Sequence, residues 1–155
     1  MESTEMNAQD SKAKRRRRQA GMTMIELIAV LGVMSSLATI AMPKYHEITE
    51  SAKKARAIGD LGTIQTTIDT WNSLPPDLAT MGITLIDPWG RAYVYVPFPS
   101  GAPRVDRFGV QVNSTYDLYS LGADGVTSNS LNAASSFDDI VRANDGGFLA
   151  QASRY

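Results

Sequence analysis

The sequence predicts an α+β chain. A long N-terminal helix, apolar in its first half and amphipathic in its second, packs on a small antiparallel β-sheet head. Three observations predict it. Residues 22–42 form an almost unbroken apolar run. Over residues 45–71 apolar side chains recur at steps of three or four. Beyond residue 87, short runs rich in Val, Tyr and Leu alternate with Gly- and Pro-containing turns, the pattern of strands set on a helix.

Residues 1–21 are polar and charged and read as an unstructured leader. Lys12, Lys14, Arg15, Arg16, Arg17 and Arg18 outweigh Glu2, Glu5 and Asp10, so the leader carries about +3 and the rest about −4 of the overall −1. A basic stretch before an apolar one places the N-terminus in the cytoplasm and sends the remainder across the membrane. The apolar run, about 31 Å long as a helix at 1.5 Å per residue, just spans a bilayer. An ordinary cleaved signal has its small residue after the apolar core. Here Gly21 precedes it, so a cut after Gly21 would leave the membrane segment on the mature chain. A plain signal-anchor helix is the alternative, and it leaves Glu26 unexplained.

Pro43 follows the apolar run directly and would kink a helix. Beyond it Tyr45, Ile48, Ala52, Ala55, Ile58, Leu61, Ile64, Ile68 and Trp71 make one apolar stripe, with Glu47, Glu50, Lys53, Lys54, Arg56 and Asp60 on other faces. One helix over residues 22–71 is the simplest reading. Ser73, Pro75, Pro76 and Asp77 break it. Asp87-Pro88-Trp89-Gly90 reads as a turn, with Pro second and Gly fourth. Residues 92–96, 110–112 and 116–120 read as strands. Residues 122–139 form a long polar loop, and the tail after Arg142 has no clear period. The aromatic set Trp71, Trp89, Tyr93, Tyr95, Tyr116 and Tyr119 is assigned to the core between sheet and helix.

Of the 43% hydrophobic content a large share lies in residues 22–42, so residues 43–155 must build a head with limited burial. The chain has no cysteine, which leaves a metal or neighbouring subunits as the staple. The acidic remainder offers no grip on phosphates, and no aromatic or basic surface extends the Arg run, so nucleic acid is not a partner. His46, the single histidine, has no second ligand for zinc and no triad partner, and no phosphate loop is present. An enzyme is not expected.

Three constellations carry chemistry. A carboxylate inside a membrane segment costs roughly 2.5–3.5 kcal/mol at the bilayer centre on insertion scales, so Glu26 needs a partner. Pro43, with Gly32, Ser35 and Ser36 upstream, weakens the helix. Asp124-Gly125 reads by itself as an ordinary turn. No EF-hand spacing is present.

Gly21-Met22-Thr23-Met24-Ile25-Glu26 behind a basic leader resembles the signal of the type IV pilin superfamily. Two downstream blocks narrow the likeness. Asp87, Pro88, Trp89, Gly90, Arg91, Ala92, Tyr93, Val94 and Tyr95 form the first. The second is Tyr116, Asp117, Leu118, Tyr119, Ser120, Leu121, Gly122, Ala123, Asp124 and Gly125, followed by Asp138, Asp139 and Ile140. Together they look like the major pseudopilin of type II secretion systems. Some pilins of true type IV pili carry the same head.

The resemblance implies cleavage after Gly21 by a prepilin peptidase, methylation of Met22, and pairing of Glu26 with a neighbour's N-terminus. The domains are then a cleaved leader (1–21), a transmembrane and filament-core helix (22–42), and an amphipathic helix with its head (43–155). The product is a helical homopolymer, the principal subunit of a secretion pseudopilus. The alternatives are a surface pilus for adhesion or motility, and a membrane-anchored calcium-binding domain that never polymerises. Implied partners are copies of the chain, minor pseudopilins or pilins, an inner-membrane assembly platform, and the membrane before assembly. The filament would stand in the periplasm or outside the cell. In relatives, helix near Pro43 unwinds on assembly. The second block would enter a calcium loop, with carboxylates from Asp124, Asp138 and Asp139 and carbonyls from Leu121 and Val126. Residues 127–137 depart from the family pattern as an insertion of Ser, Asn and Ala.

Overall fold

The computed structural model describes residues 21–155. The leader and its arginine run lie outside the described residues, apart from Gly21. The chain divides into two compact units, one ending at Met42 and one spanning Pro43–Tyr155.

Helix α1 (Met24–Asp69) contains Pro43 without interruption. It starts where the Thr23 hydroxyl accepts the Glu26 amide at 3.3 Å, with the Leu27 amide on the Thr23 carbonyl at 3.1 Å. Thr-x-x-Glu is the sequence form of a capping box. In the first unit every described residue is exposed. The polar residues of this stretch serve themselves. Ser36 Oγ donates to the Val33 carbonyl at 2.8 Å and Thr39 Oγ1 to the Ser35 carbonyl at 2.9 Å, so neither hydroxyl is left bare in an apolar surround.

In the second unit, α1 buries Ala57, Leu61, Ile64 and Ile68 at steps of four, three and four. Four strands follow: β1 (Val94–Pro97), β2 (Tyr116–Ser120), β3 (Ile140–Ala143) and β4 (Phe148–Gln151). They pair in sequence order, all antiparallel, with Tyr95 opposite Leu118, Tyr119 opposite Val141, and Val141 opposite Ala150. Alternation along the strands makes two cores. Tyr116, Leu118 and Ile140, with Tyr93, pack on the α1 stripe. On the other face Val141 and Ala143 meet Val112, Leu131 and Ala152, flanked by Tyr119 and Phe148.

Several expectations are corrected. The helix begins two residues later and ends two residues earlier than residues 22–71. Tyr45, Ile48 and Trp71 are exposed, because the residues that α1 buries all lie between Ala57 and Ile68. Trp71 therefore leaves the aromatic core, and Tyr119 packs on the second face rather than against the helix. Residues 110–112 are not a strand. The turn at Gly109 (φ 77°) allows one isolated bridge, Val105 with Gln111, and Val112 fills the second core. The tail instead supplies β4, which is only half-buried and too short to show a period.

Candidate functional site

Gly21 and Met22 lie in an exposed irregular segment directly ahead of α1. A Cβ on Gly21 would meet nothing within 4 Å among the described residues, so the fold gives no reason for glycine there. Glu26 is exposed on the first helical turn, and its carboxylate makes no ion pair among the described residues. A carboxylate at this place favours the helix start through the macrodipole, typically by 0.3–1 kcal/mol at exposed sites. In a membrane or a filament core that gain is too small to cover the cost of an unpaired charge. The whole α1 segment around it is long and apolar enough to cross a membrane. Pro43 has no amide to give the Thr39 carbonyl, which marks the weakest place in the helix. Nothing around Gly32 demands glycine.

The two blocks in the head are brought together. Asp87 closes its own turn: Oδ1 accepts the Trp89 and Arg91 amides at 3.1 and 2.7 Å, and Gly90 N–H reaches the Asp87 carbonyl at 3.0 Å. Its Oδ2 accepts the buried Ser120 hydroxyl at 2.6 Å, tying the turn to the end of β2. Arg91 Nη1 then donates to the Gly122 carbonyl at 2.8 Å. The guanidinium crosses so close to Gly125 (φ 74°) that a Cβ there would stand 2.5 Å from it. The aromatic tips anchor the sheet to the helical side. Trp89 Nε1 donates to Glu50 at 3.2 Å, Tyr93 OH to Asp60 at 2.8 Å, and Tyr95 OH to the Pro75 carbonyl at 3.0 Å. Burial first, and the Asp60 carboxylate second, push the Tyr93 phenol far above its usual range.

The three carboxylates expected to hold calcium do not gather into one group among the described residues. Asp124 Oδ1 accepts the Val126 amide at 2.8 Å, and the Leu121 carbonyl accepts Gly125 N–H at 3.1 Å. Asp138 Oδ2 caps the Ala123 and Asp124 amides at 2.7 and 3.0 Å. The Asp139 carboxylate is fully buried and bonded to Arg104 Nη2 at 2.6 Å and to the Thr127 hydroxyl at 2.5 Å. Among the described residues no three His, Cys, Asp or Glu side chains form a metal-holding group. The three carboxylates are therefore not gathered as a shell of six to eight oxygens would want them.

Sequence reasoning missed the polar network behind β2 and β3. Asp117 accepts the Arg104 amide at 2.6 Å and Asn113 Nδ2 at 2.8 Å. Arg142 Nη1 donates to Asn113 Oδ1 and the Tyr116 carbonyl at 3.2 and 3.0 Å, with its guanidinium 3.9 Å from the Tyr116 ring centre. All four of Arg104, Asn113, Asp117 and Arg142 are buried. Burial pushes the Asp117 and Asp139 carboxyls above the ordinary range against the donors that face them. The available signal was a charge in mid-strand: Tyr-Asp-Leu in β2 and Val-Arg-Ala in β3. His46 is exposed, edge-on to Tyr45 with ring centres 6.4 Å apart.

Residues 16–42 match the prokaryotic N-terminal methylation motif. The type II secretion system core protein G of Pseudomonas aeruginosa is 28% identical over 145 residues, covering 77% of this chain and 94% of that protein. The fimbrial protein EcpB of Eikenella corrodens is 29% identical over 72% of this chain and 64% of its own length. The type IV major fimbrial protein FimA of Dichelobacter nodosus is 35% identical over 34% of this chain and 33% of its own length. No solved structure matches. The chain thus carries a methylation motif and is homologous to type II secretion core protein G and to type IV fimbrial proteins.

Proposed function

We propose that this chain is the major subunit of a type II secretion pseudopilus. It is cut between Gly21 and Met22, methylated on the new amine, and polymerised into a helical filament. One observation carries the reading: the exposed apolar first part of α1 bears a lone carboxylate in its first turn, directly behind a glycine that the fold does not require. Likeness to core protein G over 94% of that protein supports the secretion machine.

Before assembly the helix stands in the inner membrane with its N-terminus in the cytoplasm and the head on the far side. The chain is a structural subunit, not an enzyme, and the work is mechanical. In the filament the exposed apolar helices cover one another, which removes their surface from lipid or water. Glu26 of one copy then meets the Met22 amine of its neighbour. In an apolar surround such a pair is far stronger than in water, and an unpaired member is heavily penalised. Only one axial offset satisfies both charges, so the pair selects register. Pro43 provides the place where helix can yield as copies pack. A prepilin peptidase, minor pseudopilins and an inner-membrane platform are the partners this sequence of events requires.

Likeness to EcpB over 72% of the chain favours one second reading, a surface pilus. A deletion strain separates the two. The secretion reading expects loss of enzyme export with surface filaments unchanged, and loss of surface filaments with normal export would overturn it. Gly21 replaced by Trp should leave uncut precursor in the membrane.

A further inference from the structure

We infer that Arg104 supplies from within the chain the positive charge that holds the 121–139 loop to the sheet, so that the head is stapled without a metal. The backbone of Arg104 is fixed on two sides. Its amide donates to Asp117 at 2.6 Å, and its carbonyl accepts the Val112 amide at 3.0 Å. The side chain passes over Tyr119, 4.3 Å from the ring centre, a cation–π contact that holds the guanidinium over β2. From there one nitrogen, Nη2, meets three oxygens of the loop. They are Asp139 Oδ2 at 2.6 Å, Thr127 Oγ1 at 2.9 Å and the Ser128 carbonyl at 3.1 Å. Carboxylate and carbonyl oxygens are among those a calcium ion collects. Two of the three belong to residues 127–137, the stretch that departs from the calcium-loop pattern, so the insertion supplies ligands to the arginine.

A metal and this arginine compete for Asp139 Oδ2. An ion sharing Oδ2 would sit within about 5 Å of the guanidinium, given an oxygen distance of about 2.4 Å and the 2.6 Å ion pair. Like charges at that range in a buried site repel strongly. The pair is 4% and 0% exposed. A polar cavity of about 110 Å³, lined by Arg104, Asp117, Thr127 and Ser128 among others, adjoins it. It has room for ordered water. Such water would serve Arg104 Nε and Nη1, which have no partner among the described residues. A loop closed this way is independent of the calcium level around the filament.

The test is thermal melting of the full chain in detergent, followed by tryptophan fluorescence, with calcium chloride and with EDTA. The wild type should melt at the same temperature in both, within about 1 °C, and calorimetry should show no calcium heat. Arg104→Gln leaves Asp139 buried and unpaired, and should lower melting by about 10 °C or more. The double variant Arg104→Met with Asp139→Leu removes both charges and should recover most of that loss. A wild-type melting temperature raised several degrees by calcium would overturn the inference, as would Arg104→Gln melting within about 2 °C of wild type. If Arg104→Gln does not accumulate folded, the double variant decides. Recovery of a folded head supports the staple, and equal failure rejects it.

Discussion

Glu26 and Gly125 show how differently two single residues can be required. Among the described residues Glu26 has no partner that accounts for its charge, yet its amide belongs to the cap at Thr23. Glu26→Gln keeps the shape and the helix start and removes only the charge. Expression and membrane insertion should be unchanged, while the yield of sheared filaments falls at least about tenfold, since an unpaired buried partner costs more than the ~1.4 kcal/mol that factor represents. Unchanged yield would reject the register role. Gly125 is needed by its own fold, for φ 74° and for the Arg91 guanidinium that fills the place of a Cβ. Gly125→Ala should destabilise the head by roughly 1–3 kcal/mol with no effect on cleavage, read by denaturant midpoint and by the size of the membrane-bound chain.

Along α1 the apolar stripe divides into a part that packs and a part that does not. Leu61 is fully buried against Tyr93, Leu118 and their neighbours, so Leu61→Ala should cost about 2–5 kcal/mol. Trp71→Ala should stay within about 0.5 kcal/mol, because Trp71 is 43% exposed. Equal losses in chemical denaturation would contradict the division. The tyrosines add a pH signature. Burial raises Tyr93 beyond the phenol range and Tyr116 to about 12 from an ordinary 10. A folded value above the unfolded one gives stability that is complete below pH 10 and is lost as pH rises through 12. Tyr93→Phe should therefore soften the alkaline decline while lowering stability at pH 7, because Asp60 loses its donor. The elements that were legible in the sequence are those whose pattern is local. The 116–120 strand and the Asp87 turn appeared where β-branched, aromatic and turn residues said they would. β4 was not legible because a four-residue, half-buried strand shows no period. Arg104 was missed because its meaning lies in Asp139, thirty-five residues away.

At the scale of the molecule, a segment with every side chain exposed precedes a head with two cores of its own. That imbalance is the reason to expect many copies together: nothing among the described residues covers residues 22–42. Cleavage, methylation and polymerisation are separate steps, and one number reports all three. Filaments sheared or pulled down with the secretion apparatus should give an intact mass equal to residues 22–155 plus one methyl group. Filaments made of full-length chain, or cleaved chain found only as a dispersed membrane protein, would contradict the proposed filament subunit.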